Sequence, residues 1–404
     1  MRPPSSLSDP GGAVEPPGLF DGVLARGDVR GIVGDRAFLQ AMLDFESALA
    51  AASADAGRID SEDARTIAAA CRAEAFDVSA LGALAADTGN PVLPMLDALR
   101  GMVGPAAAHA VHRGATSQDV IDTATMVVAG RALDVIGRDL DAAADAAAGL
   151  ADAHRATLMA GRTLLQRATP VTFGLTAAVW CATLDQARAR LAEVRRDGPA
   201  LQLGGATGTL DALWPDGAAI AAAMAERLGL RVPVLPWHTD RTRIAELAGA
   251  LGEACGAAAK PAVDVVLLAQ TELGEVREGT PGRGASSAVP GKSNPVAAIS
   301  ALAAARRAPG LVGELLAAGV HELERAAGAW HAEWLPLREL LVATGSAASW
   351  ISDSLGALVV DPDRMLANLR GGPPQDAEAE ATVVAACEAL VQRALDDRGR
   401  ERTS

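Results

Sequence analysis

Ser286, Ser287, Lys292 and Asn294 stand close together in one short stretch of the chain. Hydroxyls can exchange protons, and an ammonium beside an amide can hold a carboxylate, so this set suits an anionic substrate and proton transfer. The stretch also carries Gly282, Gly284 and Gly291 with Pro281, Pro290 and Pro295. Glycine frees φ and proline removes a donor, so the segment is a loop. A loop this long between helical patterns is functional or disordered. Gly291-Lys292-Ser293 mimics the end of a phosphate-binding loop, but Ser286 stands where that motif needs glycine and no strand precedes it. Gly284-Ala285-Ser286 mimics a nucleophile elbow, but Ala288 replaces the closing glycine. A flexible hinge with incidental serines is the plain alternative.

Two further segments are polar where their neighbours are not. His112-Arg113-Gly114-Ala115-Thr116-Ser117-Gln118-Asp119 precedes a helical pattern running from about Gln118 to His154. Thr116 and Ser117 suit a helix cap, and the free N–H groups of that helix start could also bind an anion. Gly161–Pro170 reads as a loop into a second helix over about 171–197, and in it Thr163 and Gln166 are polar groups among apolar ones. Gln202–Thr209 is glycine-rich but lacks dinucleotide-binding spacing.

The elements that must position these residues are helices. Half of the 404 residues are hydrophobic, alanine dominates, tyrosine is absent and only 3% are aromatic, which fits closely packed helices. Apolar spacing predicts helices over about 36–56, 61–76, 78–86, from 92, about 239–275 with a kink at Pro261, and about 295–325 with a kink at Pro309. No sustained alternating strand pattern is visible. The expected fold class is all-α, a long-helix up-and-down bundle. Its divisions are a disordered tail over 1–18, an N-terminal helical domain over 19–110, a central bundle over 111–350 and a short helical region over 351–404, in which Gly371-Gly372-Pro373-Pro374 reads as a hinge.

The net charge of −14 argues against a nucleic-acid partner and means that an anionic substrate needs local positive charge. Cys71, Cys181, Cys255 and Cys387 have no metal-ligand spacing and read as buried free thiols of a reducing compartment. The first residues lack the apolar core of a signal peptide, and no run approaches the ~20 apolar residues of a membrane span. A cytoplasmic protein without metal or organic cofactor is expected.

Gly284–Pro295 resembles the signature loop of the fumarase/aspartase superfamily, G-x-S-S-x-M-P-x-K-x-N-P, with Val289 in place of the methionine. His112–Asp119 and Gly161–Gly174 are similar to its other two conserved segments, and the similarity extends over about 19–370. Within the superfamily, Gly204–Thr209, Leu235-Pro236-Trp237-His238-Thr239 and Glu324–Trp334 resemble the carboxymuconate cycloisomerase branch. The resemblance implies a homotetramer whose active sites each draw the three segments from three subunits. The substrate would be a small di- or tricarboxylate, closed to a lactone by internal carboxylate addition.

By the same resemblance Ser286 exchanges the carbon-bound proton and Lys292 and Asn294 hold the substrate carboxylate. Thr116, Ser117, Gln118, Thr163, Gln166 and Ser287 would line the site. His112 and His238 would either touch substrate or make structural hydrogen bonds. Leu164 stands where other members carry histidine or tryptophan, Thr242 where the branch has aspartate, and Arg167 is an additional charge. These departures point to the alternative of a fumarate-releasing lyase acting on a substituted succinate. A non-catalytic helical scaffold is the third possibility.

Overall fold

The computed structural model describes residues 18–372 and 376–401. The expected N-terminal tail therefore falls almost wholly outside the described residues, as do Pro373 and Pro374 of the expected hinge. Two single-turn helices, α1 (Asp21–Leu24) and α2 (Val29–Ile32), lead into α3 (Asp35–Asp55), α4 (Ser61–Ala70), α5 (Val78–Thr88) and α6 (Val92–Ala108). The core of this part holds Phe45, Leu49, Ile67, Met95 and Leu99. It is not closed by these helices alone. Val120, Ile121 and Ala124 of the next helix pack into it, as do Leu201, Leu213, Ile220 and Met224 from beyond residue 200.

The bundle begins with α7 (Ser117–Ala153), whose 37 residues span about 55 Å. α8 (Phe173–Asp197) follows, then the shorter α9 (Gly217–Leu228), α10 (Thr242–Leu268), α11 (Val296–Ala305), α12 (Ala308–Ala318) and α13 (Ala329–Gly356). Ion pairs and hydrogen bonds fix their directions. Near its start α7 meets the starts of α10 and α13, through Arg241 held by Asp122 and Glu333. At its far end α7 meets the start of α8, where Gly174 N–H donates to His154 O at 3.0 Å. Glu278 joins the start of α11 to the end of α13, accepting from Ala297 N, Ala298 N and Ser354 Oγ. The chain thus runs up, down, up, down, up. Buried Ala132, Ala144, Ala147 and Ala151 on α7, Ala177 on α8, Ala254 on α10 and Ala301 on α11 let the backbones approach closely. Phe173 and Trp180 pack edge to face, with ring centroids 5.6 Å apart.

Several expectations are corrected. Gly161–Pro170 is not a loop but most of an antiparallel hairpin, β1 (Leu158–Thr163) with β2 (Gln166–Thr172). Its two turn residues, Leu164 and Leu165, have φ of 53° and 61°. Such a turn normally carries Asn or Gly, so the composition hid it. A second small pair joins β3 (Val276–Glu278) to β4 (Leu358–Val360). The helix expected from 295 to 325 is two helices, broken at Arg306-Arg307 and finished at Ala318. α10 carries Pro261 inside it, as expected, but ends at Leu268 rather than near 275. The division at 350/351 falls inside α13. After β4 come α14 (Pro362–Arg370) and the 25-residue α15 (Ala377–Glu401). Arg398 binds this last helix to Asp185 of α8 and to Asp141 and Asp145 of α7.

Candidate active site

The first polar segment is shaped by Asp119. Thr116 caps α7 in a reciprocal box with Asp119, which accepts the Thr116 N–H at 3.0 Å. The same buried carboxylate accepts Gly204 and Gly205 N–H, both at 3.0 Å, and lies 2.6 Å from His238 Nε2. Gly114 must be glycine here: its φ is +83°, and a Cβ would meet Leu213 at 2.6 Å. Thr116 and Ser117 are partly exposed, whereas Gln118 is buried, its amide donating to Asp122 at 3.1 Å and to His238 O at 2.7 Å. Asp119, Gln202 and the Asp122–Arg241–Glu333 group were not singled out as chemistry. Only Asp119 had a sequence signal, as the third residue after a Thr cap.

His112 has φ of 62° and its Nδ1 lies 2.7 Å from Glu46 Oε1. Burial works against the protonated ring, but Glu46, with Asp119 beyond it and Arg100 weakly opposing, outweighs this and raises its pKa above 6.5. The folded chain therefore holds this proton more tightly than the unfolded one. The stabilisation is complete below the ordinary histidine value and is lost as pH rises through the raised one. Urea unfolding at about pH 6 and about pH 8.5 should show stability falling over that interval. Glu46→Gln should flatten the fall; an unchanged slope would remove His112 as its source.

The second and third segments lie at the other end of the bundle. Arg162 forms a two-armed pair with buried Glu275, at 2.6 and 3.0 Å, which fixes the base of the β1–β2 hairpin. Thr163, Leu164, Leu165 and Gln166 at its tip are exposed. Arg167 lies against the Gly371-Gly372 turn, where a Cβ on Gly372 would meet its Nη1 at 2.6 Å. Thr242 turns its hydroxyl to Asp240 at 2.7 Å, so the charge of Arg241 is balanced by Asp122 and Glu333 without it.

The Ser286 loop is pinned at both ends. Arg283 pairs with Asp353 at 2.8 Å on the entry side, and Glu278 caps α11 on the exit side. Asn294 closes the neck, its backbone N–H and its amide both donating to Gly284 O at 2.9 Å. Gly284, at φ +85°, approaches so closely that a Cβ would lie 2.3 Å from Asn294 O. Within the loop, Ser286 Oγ accepts N–H groups of Ala288 at 3.3 Å and Val289 at 3.1 Å. Two donors aimed at one hydroxyl oxygen favour its alkoxide. Ser287 and Lys292 are exposed, and no ion pair is formed by Lys292 among the described residues. One chain thus brings the second and third segments to one end of the bundle and leaves the first at the opposite end. Among the described residues no group of His, Cys, Asp and Glu is arranged to hold a metal ion, and no helix is long and apolar enough to cross a membrane. All four cysteines are buried and free.

This fold and these three segments define a class. A family model described as Lyase matches residues 24–310, and the chain belongs to that family, within the fumarase/aspartase superfamily. Among its relatives, a 3-carboxy-cis,cis-muconate cycloisomerase from Bradyrhizobium diazoefficiens is 47% identical over 87% of this chain and 79% of that protein. A nitrosuccinate lyase from Streptomyces davaonensis is 45% identical over 88% of this chain and 78% of that protein. The solved 3-carboxy-cis,cis-muconate lactonizing enzyme from Pseudomonas putida superposes with a TM-score of 0.83 at 38% identity, over 94% of this chain and 88% of that one.

Proposed function

We propose that this protein is a cytoplasmic cycloisomerase that closes 3-carboxy-cis,cis-muconate to a carboxymuconolactone in aromatic catabolism. The observation that carries this reading is the 47% identity to a cycloisomerase over 87% of the chain. In the reaction one carboxylate oxygen bonds to an alkene carbon. The displaced electron pair enters the neighbouring carboxylate as an enediolate-like anion, and the adjacent carbon then takes a proton. Ser286 delivers that proton, and the Ala288 and Val289 N–H groups steady the oxygen left behind. Lys292 faces the anion, with Ser287, Thr116, Ser117, Thr163 and Gln166 around it. Gln118, Asn294, His112 and His238, each with one side-chain nitrogen hydrogen-bonded within the chain, hold these segments in shape. Loss of ultraviolet absorbance on adding 3-carboxy-cis,cis-muconate tests the reading. A folded oligomer that causes none would refute it.

The site is completed by other copies in a homotetramer. Two observations support this: the polar segments lie at opposite ends of a 37-residue helix, and Leu164 and Leu165 are 95% and 72% exposed. Ser117→Ala and Ser286→Ala chains unfolded and refolded together should recover more activity than either alone, because some mixed sites receive both serines. If mixing restores nothing, each site is built within one chain.

A second reading is elimination from a substituted succinate, favoured by the nitrosuccinate lyase relative and by Leu164, Thr242 and Arg167. Release of fumarate and nitrite from nitrosuccinate, without bleaching of carboxymuconate, would select it.

A further inference from the structure

A separate hollow lies between the N-terminal helices and the bundle. It is a cavity of about 290 Å³ bounded by α3, α5, α7 and α13. Phe38, Met42, Leu81, Ile121, Leu337 and Leu341 supply its apolar walls. None of Thr116, Thr163, Ser286 or Lys292 lines it. An apolar cavity of roughly 150 Å³ already holds benzene, so this one has room for a ring with a short substituent.

Its polar features restrict what would enter. Trp334 lines the cavity, and its Nε1 is buried without an acceptor. The indole cannot easily turn away, since it packs edge to face on Trp330 at 4.9 Å, and Trp330 is itself tied to Asp122 Oδ1 at 3.0 Å. A buried, fixed N–H without a partner calls for an acceptor from the occupant. The charged lining residues are Asp35, Asp122 and Glu333 against Arg241 and Arg338. Arg241 is already held by both inner carboxylates and Arg338 by Asp35. A carboxylate ligand would thus meet a surplus of negative charge and no available cation.

We propose that this cavity is a second binding site, which takes a small neutral aromatic molecule bearing one carbonyl oxygen that accepts a hydrogen bond from the indole N–H of Trp334. Its ligand class differs from the polycarboxylate proposed for the Ser286 loop, and the inference does not depend on that reading.

Calorimetric titration of the full chain with acetophenone, ethylbenzene and benzoate tests this. Acetophenone should bind saturably, one molecule per chain. Ethylbenzene, which lacks the acceptor, should bind about tenfold more weakly, and benzoate should not compete. Trp334→Phe should weaken acetophenone about tenfold and leave ethylbenzene unchanged. Gly82→Phe places a ring at a lining position where a Cβ meets no atom within 4 Å, and should abolish binding of both. Failure of acetophenone to saturate would overturn the proposal. So would equal binding of benzoate, or binding untouched by Gly82→Phe. If Trp334→Phe does not fold, the ethylbenzene comparison and Gly82→Phe still decide.

Discussion

Ser286→Ala is expected to lower kcat about 10²–10⁴-fold, the range for loss of a positioned proton donor. The folded state should hardly change. Ser286 is only partly buried, and its hydroxyl oxygen is engaged by two backbone N–H groups of its own loop. Removing such contacts on an exposed loop costs about 1 kcal/mol or less. The loop's anchors, Arg283–Asp353, Asn294–Gly284 and Glu278 at the start of α11, remain in place. Parent and variant should therefore unfold at nearly the same urea concentration while differing greatly in turnover. Turnover within tenfold of the parent would remove Ser286 from the proton transfer and return the role to an unassigned group.

Arg241→Met should destabilise the fold by about 3–5 kcal/mol, the cost of leaving buried carboxylates unpaired. Arg241 is 4% exposed, and its guanidinium meets Asp122 at 2.9 and 3.1 Å and Glu333 at 3.0 and 2.5 Å. Burial opposes its charge, but those two carboxylates hold the proton far more firmly than water would. Methionine fills similar space and leaves both acids facing each other. Replacing Asp122 and Glu333 by apolar residues in the same chain should recover much of the loss, because the penalty lies in the uncompensated charge. The loss should reach the site as well, since Asp122 also receives Gln118 and Gln202. An Arg241→Met chain as stable in urea as the parent would show that the two acids are neutralised some other way.

Helical periodicity located α3, α7 and α8 to within about two residues, because each long amphipathic stripe repeats many times along its own length, whereas α10 stops at Leu268, short of the expected 275. The loop around Ser286 was legible for a local reason too: glycine, proline and hydroxylic residues crowd there in a recognisable order. The β1–β2 hairpin was not legible, since two leucines occupy its left-handed turn and Pro170 sits in β2. Nor was the end of α12 at Ala318: Gly319 follows it directly, but the apolar spacing of Val320 and Leu323 beyond it reads as continuing helix.

The residue types of the candidate site, the helical class and the order of the three segments were thus set by neighbours in sequence. What tertiary structure decided were relations between distant residues. Arg241 finds its partners 119 and 92 positions away, and His112 finds Glu46 66 positions away. Such pairings leave no periodic trace, since they depend on which helix ends meet after the apolar stripes have packed. The same packing sends Thr116 to one end of the bundle and Ser286 to the other, because a rigid helix of 37 residues stands between the first segment and the second.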